Sequence, residues 1–196
     1  YANTLKLRMA MRIVNVAPAL SKEKAEEAVN DSYGVMAEAG DAAFSSFNDG
    51  MNPFYRAAYT WNGGEFRASA NITSYLGGYK DPRLTIYVKE SEENGYVGVR
   101  NGISQTASSF ASYQKLSNVN VGEGDKLLVM SAAEAYFLRA EGALRGWNMG
   151  GTAKELYETG IAVSMAEKGA SVGDYLSSKA VPEAYTDPVN SKYNVV

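Results

Sequence analysis

The apolar positions keep a helical period at both ends of the chain and lose it in the middle. Ala2, Leu5, Met9, Ile13 and Val16 recur at three- and four-residue steps, the spacing of one helix face. A first helix is therefore expected over Ala2 to Asn15. Pro18 ends the connection, and Ser21 is placed to cap a second helix with Lys22-Glu23-Lys24 outside and Ala25, Ala28 and Val29 inside. The same period returns from Leu127 to Gly169. Met130, Ala133, Phe137, Ala140, Leu144 and Trp147 form one apolar stripe, headed by Ser131 as N-cap with Glu134 three residues on, the arrangement of a capping box. Gly146 and the Asn148-Met149-Gly150-Gly151 run break this helix. Thr152 and Glu155 repeat the capping pattern for a second helix, which lines up the mostly small face Ala153, Tyr157, Gly160 and Ser164. Two such hairpins predict a mainly α fold of tetratricopeptide-like helical hairpins.

Between the hairpins the chain is rich in Gly, Asn, Ser and Tyr. Simply stacked repeats do not tolerate so long an interruption, so it reads as a loop-rich insertion with little β structure. Within it, Glu65 to Leu76 reads as helical, with Gly77-Gly78 as the stop. Asp81-Pro82-Arg83 reads as a turn, in which Asp81 caps and Arg83 pairs with a carboxylate or carbonyl. Leu84 to Lys89 reads as extended, Glu90 to Asn94 as an exposed turn, Tyr96 to Val99 as a strand and Asn101-Gly102 as a turn. Ser104 to Gly124 is polar and irregular, with Phe110 and Tyr113 as its anchors. The expected organisation is a single domain: a hairpin over 1–38, the insertion over 39–126, a hairpin plus a short helix (Ser171 to Ser178) over 127–178, and an exposed tail over 179–196.

Composition narrows the function. The 196 residues are 45% apolar and 21% charged, an ordinary globular balance. A net charge of −3 gives no basic footprint for nucleic acid. No apolar run has membrane-spanning length. The sequence has neither Cys nor His, which excludes a thiol nucleophile, a Cys/His zinc site and a Ser-His-Asp triad built from this chain. Calcium needs only oxygen ligands, but Asp31, Asp41 and Asp49 show no EF-hand spacing and read as solvated surface. Paired carboxylates for glycoside hydrolysis would have to come from Glu65, Asp81, Glu90, Glu92 and Glu93. The last three form a charge run that reads as a solvated loop. No cofactor, metal or catalytic residue is expected.

The positive signal is aromatic. Asn52 to Gly64 sets four aromatics among Asn, Arg and Gly, and Tyr75 and Tyr79 follow on the next element. A sugar ring has apolar C–H faces and polar edges, and Trp or Tyr offers a flat apolar surface with a polar tip. Trp61, flanked by Asn62-Gly63-Gly64, is the leading candidate for an exposed platform. Tyr59, Tyr75 and Tyr79 are further candidates, with Asn62 and Arg67 supplying hydrogen bonds to hydroxyls. Aromatics are also common core residues, and Phe54, Tyr55 and Tyr59 could serve as anchors. Trp147, at the end of its stripe, reads as core or hairpin-turn packing.

Four segments carry a resemblance: MSAAEAYFLRAEGALRGWNMGGTAKELYETGI, the opening ANTLKLRMAMRIVNVAPALSKEKAEEAV, SYLGGYKDPRLTIYV, and the Gly95-to-Val99 run with Asn101-Gly102. In order and wording they resemble the SusD/RagB family of outer-membrane nutrient-binding lipoproteins. The resemblance implies a non-catalytic cell-surface protein that binds oligosaccharides or related nutrients and works with a SusC-like, TonB-dependent transporter. It also implies that this chain is a fragment. A signal peptide, a lipid-bearing Cys and the first helices would lie upstream, with further sequence downstream, so that membrane attachment would come only from a lipid anchor outside this stretch. The shared motifs are scaffold, and no binding residue is carried over by them. The alternative is a helical-repeat module that binds only protein, with its aromatics in a partner interface; a two-carboxylate hydrolase is the weakest reading.

Overall fold

A computed structural model describes residues 1–47, 50–103, 106–190 and 194–195. The elements in chain order are α1 (Ala2–Arg12), α2 (Pro18–Val29), β1 (Ala43–Ser45), α3 (Pro53–Tyr55), α4 (Ala70–Gly78), α5 (Leu84–Tyr87), β2 (Val88–Lys89), α6 (Ala107–Gln114), β3 (Asn118–Val119), β4 (Leu127–Met130), α7 (Ala132–Leu144), α8 (Ala153–Ala166), β5 (Tyr185–Thr186) and β6 (Asn194–Val195). Short 3-10 turns and one π-helical turn join them. The fold is mainly α, with helical hairpins, a loop-rich middle and three two-stranded antiparallel ribbons among the described residues. The chain forms two compact units, residues 1–45 with 127–172 and residues 46–126 with 173–196.

The first unit contains both hairpins. Its main core joins Leu7, Ala10 and Met11 of α1, Ala25 and Ala28 of α2, Ala140 of α7, Met149 and Leu156. Small residues let the helices approach closely. At Gly160 of α8 an added Cβ would come within 2.7 Å of the Phe137 ring, so the small face inferred for this helix has a definite partner. Trp147 packs against the core from its edge. The stripe drawn through α7 is only partly internal, because Leu144, in the last turn, faces solvent and Phe137 is half-exposed against Tyr157. Met130 is buried, but on β4 rather than on the helix.

Two caps depart from expectation. α2 starts at Pro18 after Ala17, and Ser21 lies buried one turn inside, donating its hydroxyl to the Ala10 carbonyl of α1 at 2.7 Å. Proline at the first helical position needs no amide partner, which moves the start upstream of Ser21. Ser131 is the N-cap of α7, but its side chain does not cap. Instead, Glu167, just past the end of α8, accepts the Ala132 and Ala133 amides and the Ser131 hydroxyl. Glu134 is drawn away to an ion pair with Arg8 of α1. Thr152 and Glu155 form the expected capping box.

The second unit is held differently. The stretch expected to be helical from Glu65 starts only at Ala70, capped by Ser69. Before it the chain is extended, and Ser69 bridges Val99 in the only part of the Tyr96–Val99 run with strand pairing among the described residues. The helix also runs through Gly77-Gly78 rather than stopping there. Leu84 to Tyr87 is one helical turn, and only Val88–Lys89 is extended. Within the stretch expected to be irregular, Thr106 and Ser109 box the start of α6. Tyr113 is buried there, whereas Phe110 is exposed. Ser104, where that stretch begins, and Asp49 lie outside the described residues. The helix placed at Ser171 to Ser178 is a single 3-10 turn at Tyr175–Ser177.

The expected exposed tail is instead built in. Tyr185 and Asp187 are buried. The Tyr185 hydroxyl donates to the Gly98 carbonyl, the Tyr113 hydroxyl donates to Asp187, and the Glu183 amide donates to the Ser74 carbonyl. Gly78 is what admits this segment, since a Cβ there would lie 2.2 Å from the Val181 carbonyl oxygen. Burial pushes the Tyr185 phenol up to about 12, with the nearby Asp187 carboxylate adding to the shift.

Candidate functional site

The aromatic loop of the second unit is anchored at both ends. Asn52 starts it as a helix cap, accepting the Phe54 amide and donating to the Asp125 carbonyl. A π-helical turn over Arg56–Thr60 follows. The Tyr59 hydroxyl donates to the Val119 carbonyl and Asn118 donates to the Ala58 carbonyl. Tyr59 is therefore tied to β3, with its ring between Tyr55 at 5.0 Å and the Lys89 ammonium at 4.4 Å.

Trp61 comes next and is 64% exposed. Asn62 follows with φ +48° and Gly63 with φ +78°, a left-handed run that Asn and Gly tolerate best. Arg67 closes the loop by donating to the Gly64 carbonyl at 2.7 Å and to the Gln114 carbonyl at 2.8 Å. Its guanidinium thus holds the loop and at the same time lines a cavity of about 310 Å³ with Glu65, Arg100 and Asn101. Trp61 stands on a braced loop with its indole in solvent.

Tyr75 and Tyr79 lie one turn apart on and just after α4, with ring centroids 6.2 Å apart, and Tyr75 is 57% exposed. The row continues to Tyr175, 6.4 Å from Tyr79, a residue far along the chain that no spacing marked out. Beneath it, Arg83 and Asp81 form an ion pair in which the Asp81 side chain is wholly buried. Burial would raise the Asp81 carboxyl, but the guanidinium and amide of Arg83 together with the Tyr175 hydroxyl hold it below its ordinary value. The turn expected at Asp81-Pro82-Arg83 is present, with Arg83 paired to a carboxylate.

The candidates therefore fall into three settings: Trp61 with Asn62, Tyr75 with Tyr79, and the tethered pair Tyr59 and Arg67. Glu90, Glu92 and Glu93 are exposed, and Glu93 meets Lys115 at the surface. Asp41 is exposed too; it accepts the Ala37 and Glu38 amides, which keep its carboxyl below the ordinary value. Among the described residues no group of three acids is placed to hold a metal, and no helix is long and apolar enough to cross a membrane.

Comparison with known proteins follows the same lines. The family model described as SusD-like, SusD and RagB outer membrane lipoprotein, matches residues 1–196. A chitin-binding SusD homologue from Flavobacterium johnsoniae is 43% identical and superposes with a TM-score of 0.91 over 99% of this chain and 40% of its own. A SusD homologue from Bacteroides uniformis ATCC 8492 is 39% identical, with a TM-score of 0.89 over 97% of this chain and 41% of its own. One from Bacteroides ovatus ATCC 8483 is 42% identical, with a TM-score of 0.86 over 98% and 42%. The chain thus spans about two-fifths of the length of these structures. No curated protein sequence matches it.

Proposed function

The chain belongs to the SusD-like family, and from that premise we propose that it forms part of a non-catalytic, surface-exposed outer-membrane lipoprotein that captures oligosaccharides for a SusC-like, TonB-dependent transporter. The observation that carries the reading is the exposed indole of Trp61 on a loop braced by Arg67, Tyr59 and Asn118. A flat apolar face held in place loses little freedom when a sugar ring stacks on it. Trp61 is the principal platform, and Asn62 meets the edge hydroxyls. Tyr75 and Tyr79 offer a second stacking surface. Tyr59 and Arg67 are assigned as positioning residues for the loop. The chitin-binding relative makes β-linked N-acetylglucosamine oligomers the first ligands to try. Positions 1–196 serve as one SusD-like piece in this reading.

The test is binding of the full-length protein to a polysaccharide panel, with Trp61→Ala beside the wild type. Retention of at least one glycan, lost in a variant with an unchanged circular dichroism spectrum, is expected. Equal binding by both proteins would move the site off this loop, and no binding to any glycan would overturn the reading in favour of a protein-binding module.

A further inference from the structure

Tyr75 and Tyr79 owe their alignment to one helical turn, but the third ring of their row is brought in from much later in the chain. Tyr175 opens the 3-10 turn at Tyr175–Ser177. The two ring spacings are nearly equal, 6.2 Å from Tyr75 to Tyr79 and 6.4 Å from Tyr79 to Tyr175, each close to the length of one pyranose unit. All three residues belong to the second unit. Three features hold the late ring in place. The chain that follows it lies against α4, where Gly78 makes room for Val181 and the Ser74 carbonyl accepts the Glu183 amide. The Tyr175 hydroxyl bonds to the carboxylate of buried Asp81. The Arg83 guanidinium, ion-paired with Asp81, lies over the Tyr175 ring at 6.0 Å from its centroid. Packing alone would bury such a row. Instead Tyr75, at its end, is 57% exposed, and Tyr79 and Tyr175 are only half-buried.

We propose that Tyr175 is a sugar-binding residue, the third platform of a tyrosine row that takes three consecutive units of one glycan chain. The inference rests on the glycan-binding reading above and extends it from Tyr75 and Tyr79 to a site of defined length. Each ring offers its apolar face to the C–H face of one unit. Tyr175 spends its hydroxyl on Asp81, so it contributes by stacking alone. The ion pair behind it fixes the ring before the ligand arrives, and little freedom is lost on binding.

The experiment is calorimetric titration of the full-length protein with the dimers, trimers and tetramers of N-acetylglucosamine and of glucose, and with a tri-proline peptide. Wild type is run beside Tyr175→Phe, Tyr175→Leu and Trp61→Ala. Both Tyr175 variants lose the hydroxyl, so any damage to the Asp81 contact is common to them and only the aromatic face separates them. In wild type and Tyr175→Phe the trimer of at least one series is expected to bind about fivefold more tightly than its dimer, by the scale of one aromatic stacking contact, with no further gain for the tetramer. In Tyr175→Leu dimer and trimer are expected to bind alike. A trimer gain that is the same in Tyr175→Phe and Tyr175→Leu, or absent from wild type, would overturn the proposal. Tri-proline bound more tightly than any trimer, and released by Tyr175→Leu but not by Tyr175→Phe, would overturn the sugar assignment. A gain that disappears in Trp61→Ala but persists in Tyr175→Leu would sink this inference and leave the Trp61 platform standing; no binding of any oligomer would sink both.

Discussion

The two units solve the same problem with different chemistry. In the first, the apolar clusters of the described residues form around the helices, with Leu7 of α1 and Met149 of the α7–α8 turn in one and Met130 of β4 in the other. The second places Asn52, Thr73, Asp81, Ser117 and Asp187 in its interior, each bonded to backbone or to a neighbouring side chain. A helix satisfies its own backbone and needs only a greasy partner. Irregular chain leaves amides and carbonyls exposed, and each must find a partner once buried. Side chains such as Asn52 and Ser117 supply them. The second unit can therefore present an aromatic loop without being held by a large apolar core, and its integrity depends on a network of polar contacts.

That contrast can be broken in graded steps. The largest loss is expected for Leu7→Ala, about 3 kcal/mol from lost burial and the remaining cavity, the same at pH 5 and pH 8 by chemical denaturation; a pH-dependent loss would mean that the first unit also relies on charge. Asp187→Ala is expected to cost about 2–3 kcal/mol, because the Tyr113 hydroxyl and the Val189 and Asn190 amides lose their acceptor. A cost no larger than that of a surface substitution would refute the polar-network account.

Asp81→Asn comes next, at about 2 kcal/mol at pH 7, and its effect should depend on pH. The folded carboxyl lies below its ordinary value. Its contribution is therefore complete above the unfolded value of about 3.9 and fades as pH falls through the lower folded value. The gap between wild type and variant should begin to narrow below about pH 4, and a gap that stays constant as far into acid as the fold persists would show that Asp81 acts through shape instead. The smallest change is Thr152→Ala, about 1 kcal/mol for a lost helix cap, read as a lower thermal midpoint with no effect on glycan binding.

What could be read from the sequence followed how local the cause was. The Thr152–Glu155 box is visible because both partners lie within one turn. The cap of α7 is not, because its acid, Glu167, sits at the far end of the next helix. Phe66 lies four residues before Ala70, at helical spacing, yet Ala68 and Ala70 are claimed by hydrogen bonds to Val99, a partner that local pattern cannot show. α6 carries the Thr106–Ser109 signal but no apolar stripe, so periodicity passed over it. The burial of the tail has no local signal, because Tyr185 and Asp187 find their partners at Gly98 and Tyr113, far back in the chain. For the same reason Trp61, marked by the glycines beside it, could be singled out from sequence, whereas Tyr175 could not.

The remote cap on α7 also bears on the order of assembly. A helix whose first amides are satisfied from within its own first turn can start as soon as it is made. The amides of Ala132 and Ala133 wait for Glu167, which is synthesised only after α8 is complete. The hairpin is therefore closed from one side, the end of α8 finishing the start of α7 while α8 caps itself through Thr152 and Glu155. A chain stopped short of Glu167 would carry α7 with a frayed start, so the last residue to arrive determines where the first helix of the pair begins.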